Sequence, residues 1–259
     1  IRIVWADIDR NTLCISKKDV LNKITKKTKA VVNVHLGGIE SDLGKMPVPI
    51  ISDAAQALGI FKGDYTCISF QAIKVITTGD GGMLVVKNKD EYKKAKLMRW
   101  FGIDREAKKK AGWQAYKQRE MICDIEMLGY KRQMNDIAAS MGLAGLKHYD
   151  RILKYRKNLF DTYKSYIKCQ VIDGKRNIYW LCTVLLNNRE KVVRKLWREG
   201  IETNLVQVRN DAYKIFGGRV KLPFMDEIEN KYLSIPLHQK VREKDVLRIS
   251  NIINKYESN

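Results

Sequence analysis

The sequence predicts an α/β fold, with a large domain built on a mainly parallel sheet and a small C-terminal α+β domain. Three observations predict it. Short β-rich runs alternate with helical patterns through the first hundred residues, and two of those runs are continuously apolar, as buried parallel strands are. A long helical stripe around residue 150 then separates this rhythm from a second, shorter one.

The elements follow in order. Residues 3–8, 30–35, 49–52 and 66–70 read as strands, with short helices at 17–24 and 53–58 between them. A longer helix at 91–100 comes next, its inward face supplied by pairs such as Leu97 with Phe101. Just before it, Gly79-Asp80-Gly81-Gly82 permits a tight turn with positive φ that returns the chain as a strand at 83–86. Residues 104–124 are polar and basic without periodicity and read as a mobile loop. Asn135 or Asp136 then caps a helix whose stripe of Ile137, Met141, Ala144, Ile152, Leu159 and Tyr163 is long enough to link two domains. His148 falls within that stripe, which assigns it to core or interface packing.

Beyond the stripe come a strand at 178–186, a helix at 189–199 stopped by Gly200, a strand at 201–206 and two terminal helices. The last helix presents Val246, Ile249 and Ile253 on one face. The expected division is a large domain over residues 1–150, then a linking helix and small domain over 151–259. Residue 1 is Ile, and a strand pattern starts almost at once. The numbered chain is therefore expected to begin inside a longer one, leaving the large domain incomplete at its N-terminal side.

Composition narrows the function. With 259 residues, 45% hydrophobic and 30% charged, the chain can bury a core without disulfides or metals as staples. Lys and Arg number 49 against 29 Asp and Glu, a net charge of +20 that attracts anions. The basic residues are scattered in short runs such as Lys26-Lys27 and Lys108-Lys109-Lys110, without the aromatic interleaving of single-strand binders. A nucleic-acid groove is the weaker reading, and a small anionic ligand such as a nucleotide suits the same sign. Five Cys with no C-x-x-C pair indicate neither a disulfide framework nor a zinc site and fit a reducing cytoplasm. No apolar run approaches the ~20 residues of a membrane helix, and no signal peptide is visible.

The chemistry concentrates between Ile50 and Leu84. In open parallel sheets ligands sit outside the carboxyl ends of the strands, so Asp53 after one strand and Ser69 to Lys74 after another can face one pocket. A carboxylate, an amine and hydroxyls together suit pyridoxal 5'-phosphate. There a Lys amine bonds the cofactor's carbonyl and an Asp keeps the pyridine nitrogen protonated. Lys74 lies between Ile73 and Val75, where desolvation would free its amine. Gln56, three residues after Asp53, can reach the ring's phenolic oxygen, and Ser69 can donate to the phosphate. Singly, each residue also has an ordinary reading: a snorkelling lysine, a helix-capping aspartate.

Their order adds a resemblance. Asp53-Ala54-Ala55-Gln56, Ser69-Phe70-Gln71-x-x-Lys74 and Thr77-Thr78-Gly79-Asp80-Gly81-Gly82 resemble the successive signatures of the DegT-like nucleotide-sugar aminotransferases, fold type I pyridoxal phosphate enzymes. The resemblance continues in Val34-His35-Leu36, Phe101-Gly102-Ile103-Asp104-Arg105, Met134-Asn135-Asp136-Ile137 and Pro236-Leu237-His238, nearly the whole chain. It implies that Lys74 is the Schiff-base lysine and proton shuttle, Asp53 the pyridine partner, Gln56 a ring contact and Ser69 a phosphate ligand. The implied reaction moves an amino group, usually from L-glutamate, to the keto carbon of a nucleotide-linked sugar in a homodimer.

Three departures mark this chain: the family's N-terminal phosphate turn is absent, Leu58 to Ser69 is shorter than usual, and Gly129-Tyr130-Lys131-Arg132-Gln133 stands where many members show Gly-Tyr-Asn-Tyr-Arg. Lys131 is then either a cationic phosphate contact or a solvent-facing lysine. His238 either approaches the sugar nucleotide or closes a turn, and His35 is expected beneath the sheet's carboxyl edge. The rival readings are a cofactor-free fragment, a basic anion or nucleic-acid binder, and a pyridoxal phosphate-dependent sugar dehydratase. Relatives that dehydrate replace the lysine with histidine, so Lys74 favours transamination.

Overall fold

The structure, a computed structural model, describes residues 2–110, 112, 125–205 and 207–257, with the main chain alone at 108 and 109. The first helix, α1 (Lys17–Lys23), is capped by Ser16, whose hydroxyl accepts the Asp19 N–H. Strands β1 (Val31–Val34), β2 (Ile50–Asp53) and β3 (Tyr65–Ser69) run parallel, and β4 (Gly82–Val86) closes the sheet antiparallel to β3, in the order β1-β2-β3-β4. The register sets Asp53 opposite Val34 and Cys67, and Ser69 opposite Gly82. A Cβ at Gly82 would lie 2.5 Å from the Ile68 carbonyl oxygen, so only glycine lets the two strands approach there.

After β4 come α2 (Lys89–Arg99), capped by Asn88, and α3 (Arg105–Lys110). Then α4 (Asp136–Leu146), capped by Asn135, leads into α5 (Tyr149–Tyr166). A second, antiparallel sheet pairs β5 (Cys182–Leu185) with β6 (Tyr232–Ile235), packed by α6 (Arg189–Arg198), α7 (Pro223–Ile228) and α8 (Glu243–Glu257). One core joins α5, α6, α8 and this sheet through Phe160, Tyr163, Leu196, Val246, Ile249 and Ile253. The larger sheet has its own core of Ala54, Ala57, Ile60, Ile68, Phe70 and Ile178. The fold is α/β, with a mostly parallel sheet and a smaller C-terminal α+β region, as the sequence predicts.

Several expected elements differ. Residues 3–8 make no strand; a single bridge joins Ile8 to Ile15, and Ile3 and Val4 face solvent. The helix expected at 53–58 is absent: Asp53 ends β2 and the residues after it form successive tight turns, with Ala57 N–H donating to the Ala54 carbonyl and Ile60 N–H to that of Ala57. These bonds span three residues and not four, and the Gln56 side chain is drawn out of the segment to the Gly37 N–H. Phe101 is exposed at positive φ, and α2 buries no residue, so the expected inward face is absent in this chain. The basic segment 104–124 begins as α3 instead of a loop, and the rest of that expectation, at 111 and 113–124, lies outside the described residues.

The long stripe is two helices. His148, at φ −108° and ψ 0°, turns the chain between them and is itself exposed, so it does not join the core. Residues 178–186 contain a strand only at Cys182–Leu185, and 201–205 only a bridge from Asn204 to Ser234, while β6 was not anticipated. A polar knot is also new: Arg209 pairs with Asp211, Asp226 and Glu229, with Arg209 and Asp211 both buried. These three carboxyls are held below their ordinary range, first by hydrogen bonds from Arg209 at Asp211 and Asp226, and from Arg219 at Glu229.

Candidate active site

Parallel pairing carries the polar ends of β2 and β3 to the same edge of the sheet, which is where Asp53 and Ser69 stand. Asp53 closes β2, and its Oδ1 accepts the Ala55 N–H at 2.9 Å while its carbonyl accepts the His35 N–H at 3.0 Å. These bonds fix the strand end that carries the carboxylate. His35 is fully buried beside it; its Nδ1 accepts the Ser41 N–H at 3.0 Å, and burial pushes its pKa down. Its Nε2 finds no partner among the described residues. The expected place of His35 at the sheet's carboxyl edge is where it lies.

Gln56 arrives by a turn, not by a helix, and its Oε1 accepts the Gly37 N–H at 2.7 Å. That bond orients the carboxamide and leaves its N–H groups to donate. Ser69 ends β3, where its Oγ accepts the Gln71 N–H at 3.2 Å. The turn beyond brings Lys74 back, its N–H donating to the Gln71 carbonyl at 2.9 Å.

Lys74 is half-buried, and its Nζ stands 4.4 Å from the ring centre of Trp180. Burial lowers its pKa below that of an ordinary lysine, and the charge of Asp53 draws it partly back. The amine and the carboxylate therefore act on each other across one site. The following turn is tied to the sheet by Thr78 N–H to the Phe70 carbonyl and Phe70 N–H to the Gly81 carbonyl, both at 2.9 Å. Helix α4 presses on it through two small residues: Cβ atoms built at Gly142 and Gly145 would lie 3.0 Å from Thr78 Cγ2 and 3.1 Å from Ile76 Cγ2.

Two predicted residues stand apart. Lys131 is exposed on a bridge to Trp100, and the nearby Met134 reaches Gly81, so this segment borders the turn after Lys74 without entering the Asp53–Lys74 pair. His238 closes a turn, its Nδ1 accepting the Lys240 N–H at 3.2 Å and its carbonyl accepting the Val241 N–H at 3.0 Å. Burial and the charges of Arg156 and Lys240 lower its pKa.

Sequence reasoning missed Trp180 and Arg156. The Arg156 Nη1 donates to the carbonyls of Tyr179, Trp180 and Leu237 at 3.2, 3.1 and 2.8 Å, which binds Trp180 to the segment carrying His238. A signal existed: Arg156 interrupts an apolar stripe at Ile152, Leu159, Phe160 and Tyr163, where an arginine must be buried. Open hollows of 240 and 860 Å³ flank α6, and neither is lined by Lys74 or Asp53. The Lys74 site is a sheet edge and not one of these hollows.

An amine and a carboxylate at the carboxyl edge of a parallel sheet fit an α/β enzyme of the fold type I aminotransferase class, to which the family match assigns the chain. The chain belongs to the DegT/DnrJ/EryC1/StrS aminotransferase family, which it matches over residues 1–254. It is 26% identical over 281 residues to the GDP-perosamine synthase of Escherichia coli O157:H7, covering 98% of this chain and 73% of that protein. It is 29% identical over 278 residues to the spore coat polysaccharide biosynthesis protein SpsC of Bacillus subtilis (strain 168), covering 94% and 70%. The sugar aminotransferase CalS13 from Micromonospora echinospora shares its fold, with a TM-score of 0.86 and 27% identity over 98% of this chain and 74% of that one. Among the described residues, no helix is long and apolar enough to cross a membrane.

Proposed function

We propose that this chain is a pyridoxal 5'-phosphate-dependent aminotransferase that moves an amino group from L-glutamate to a keto carbon of a nucleotide-linked sugar. The observation that carries the reading is the placement of Asp53 and Ser69 at the carboxyl ends of adjacent parallel strands, with Lys74 on the turn just beyond them. The donor set fits the cofactor: an amine of lowered pKa for its carbonyl, a carboxylate for its ring nitrogen, a carboxamide and a hydroxyl between them. When bound, the cofactor supplies a carbonyl to carry nitrogen and a protonated ring to accept electrons.

The residues do the rest. Lys74 offers its free amine to the cofactor's carbonyl and then moves a proton to or from the substrate carbon that bears nitrogen. Asp53 holds the proton on the ring nitrogen, and the Ala55 N–H on its Oδ1 keeps the carboxylate from turning away. Gln56 donates to the phenolic oxygen, Ser69 to the phosphate, and Lys131 adds a positive charge to a phosphate of the partner subunit. His238 borders the nucleotide sugar, whose phosphates suit the chain's positive charge.

The working form is a homodimer in the cytoplasm. Helix α4 supports the first part, since it buries no residue and leaves Ile137 and Leu143 at 77% and 65% exposure. Free Cys14, Cys67, Cys169 and Cys182 support the second. The similarity to a GDP-perosamine synthase and to the sugar aminotransferase CalS13 supports sugar amination. The test is to load the purified protein with pyridoxal phosphate and add L-glutamate. Release of 2-oxoglutarate in amounts equal to bound cofactor, followed by amination of an added keto nucleotide sugar, supports the reading. Cofactor binding without either half of the exchange overturns it.

A further inference from the structure

We propose that Trp180 is the positioning residue for Lys74: its indole face receives the ε-ammonium whenever that amine is not bonded to the cofactor, and Arg156 fixes the indole by gripping the main chain at its base. The inference rests on the reading of Lys74 as the cofactor lysine.

The 4.4 Å separation lies within the ~6 Å over which a cation is attracted to an aromatic face, and the attraction grows as water is removed. Water is largely removed here, because Trp180 is 7% exposed and Lys74 is half-buried. A lysine reaching for solvent would point its head outward. This one places its head on a ring.

The ring is held with unusual effort. Tyr179, directly before it, adopts φ +53°, a left-handed conformation that strains a bulky aromatic residue. Strain of this kind persists only where the surroundings impose it, and it gathers at functional sites. Three groups impose it: the Asn177 side chain accepts the Tyr179 N–H at 2.7 Å, the Leu181 N–H donates to the Gly37 carbonyl at 3.0 Å, and Arg156 takes the carbonyls of both Tyr179 and Trp180.

Arg156 is 6% exposed and forms no ion pair among the described residues, so its charge is compensated only by carbonyl dipoles. A buried cation without a carboxylate is costly. A single nitrogen, Nη1, reaches all three carbonyls, so the guanidinium ties the Tyr179 and Trp180 main chain to that of Leu237 at one point. Among the described residues Asp53 is the charged group that acts on Lys74; Arg156 holds the Trp180 carbonyl, and its charge acts on His238. Between the ring and Asp53 the amine has one resting direction, toward the site in which it works.

The test uses the full chain labelled with 5-fluorotryptophan and followed by fluorine NMR, first without cofactor. The Trp180 resonance is the one lost in Trp180→Phe. The expected result is that this resonance moves as Lys74 titrates, with a midpoint below that of an exposed lysine, and that Lys74→Met displaces it and abolishes the movement. Arg156→Lys is expected to shift the resonance toward its position in Lys74→Met, with the folded circular dichroism spectrum retained. A Trp180 resonance identical in wild type and Lys74→Met at every pH overturns the inference.

Pyridoxal phosphate is then added. Capture of Lys74 should move the Trp180 resonance to its Lys74→Met position. A Lys74-dependent visible band without that movement overturns the inference and leaves the proposed function standing; a Trp180 resonance that senses Lys74, with no band, upholds the contact and defeats the function. In single turnover with glutamate, Trp180→Leu should react about tenfold more slowly and Trp180→Phe should recover most of the loss, as a weaker aromatic face would. Equal rates for Leu and Phe contradict the platform.

Discussion

The carboxamide oxygen of Gln56 accepts the main-chain N–H of Gly37 at 2.7 Å, which ties the turn after β2 to the turn after β1. One end of this side chain is thus structural and the other is free to serve a ligand. Gln56→Glu keeps an acceptor for Gly37 but loses the donor. The expected outcome is an unchanged melting temperature with pyridoxal phosphate affinity weakened by about 1–2 kcal/mol, five- to thirtyfold in a spectroscopic titration. Gln56→Leu should lower both.

Lys74 sets a pH dependence. Burial lowers its pKa, so the free amine appears at lower pH than in an exposed lysine, whose pKa is about 10.4. The rate of pyridoxal phosphate capture should rise with pH and level off below that value. Asp53→Asn removes the charge that favours the ammonium, so the midpoint should move lower still. Stopped-flow absorbance against pH reads both.

The Arg209 knot sets acid stability. The folded pKa of Asp211 is lowered by its bond to Arg209, so its contribution is complete above the value of an unfolded aspartate, about 3.9, and is lost as pH falls through the folded value. Asp226 and Glu229 add in the same direction. Asp211→Ala should destabilise the chain by about 3 kcal/mol at neutral pH, because Arg209 stays buried with weaker partners, and should flatten the loss of stability between pH 5 and pH 2 by about one carboxylate. Urea melts across that range measure it.

Helix α4 tests the assembly. Ile137 and Leu143 are exposed on a helix none of whose residues is fully buried in its own chain. Ile137→Glu and Leu143→Glu together should convert a dimer to a monomer in sedimentation while leaving the far-ultraviolet spectrum intact, since the change removes no contact of the monomer core.

The parts of this site that were legible in the sequence are those carried by local order. The alternation of short β-rich runs with helical patterns announced a parallel sheet, and Asp53 and Ser69 marked its edge; Lys74 rests besides on the order of the motifs and the family they resemble. The failures have a common cause. A strand pattern at 3–8 and a helix pattern at 53–58 satisfied local rules, but residues 3–8 find no ladder partner beyond one bridge, and Gln56 is bound to Gly37 nineteen positions earlier. The stripe from Ile137 to Tyr163 kept its spacing across a bend at His148, which periodicity alone does not register. Trp180 and Arg156 were illegible as site residues because their partners lie far along the chain: Trp180 meets Lys74, and Arg156 meets both Trp180 and Leu237. Such contacts exist only after the second sheet has packed.

The central claim is that Lys74 is the amine that bonds pyridoxal phosphate. Its most direct measurement is the visible absorption of the purified protein with the cofactor, for wild type and for Lys74→Ala at matched folded fraction. The wild type should show a band that is absent in Lys74→Ala, and borohydride should fix the cofactor to the peptide carrying residue 74. A band of equal strength in Lys74→Ala, or fixation at another lysine, would contradict it.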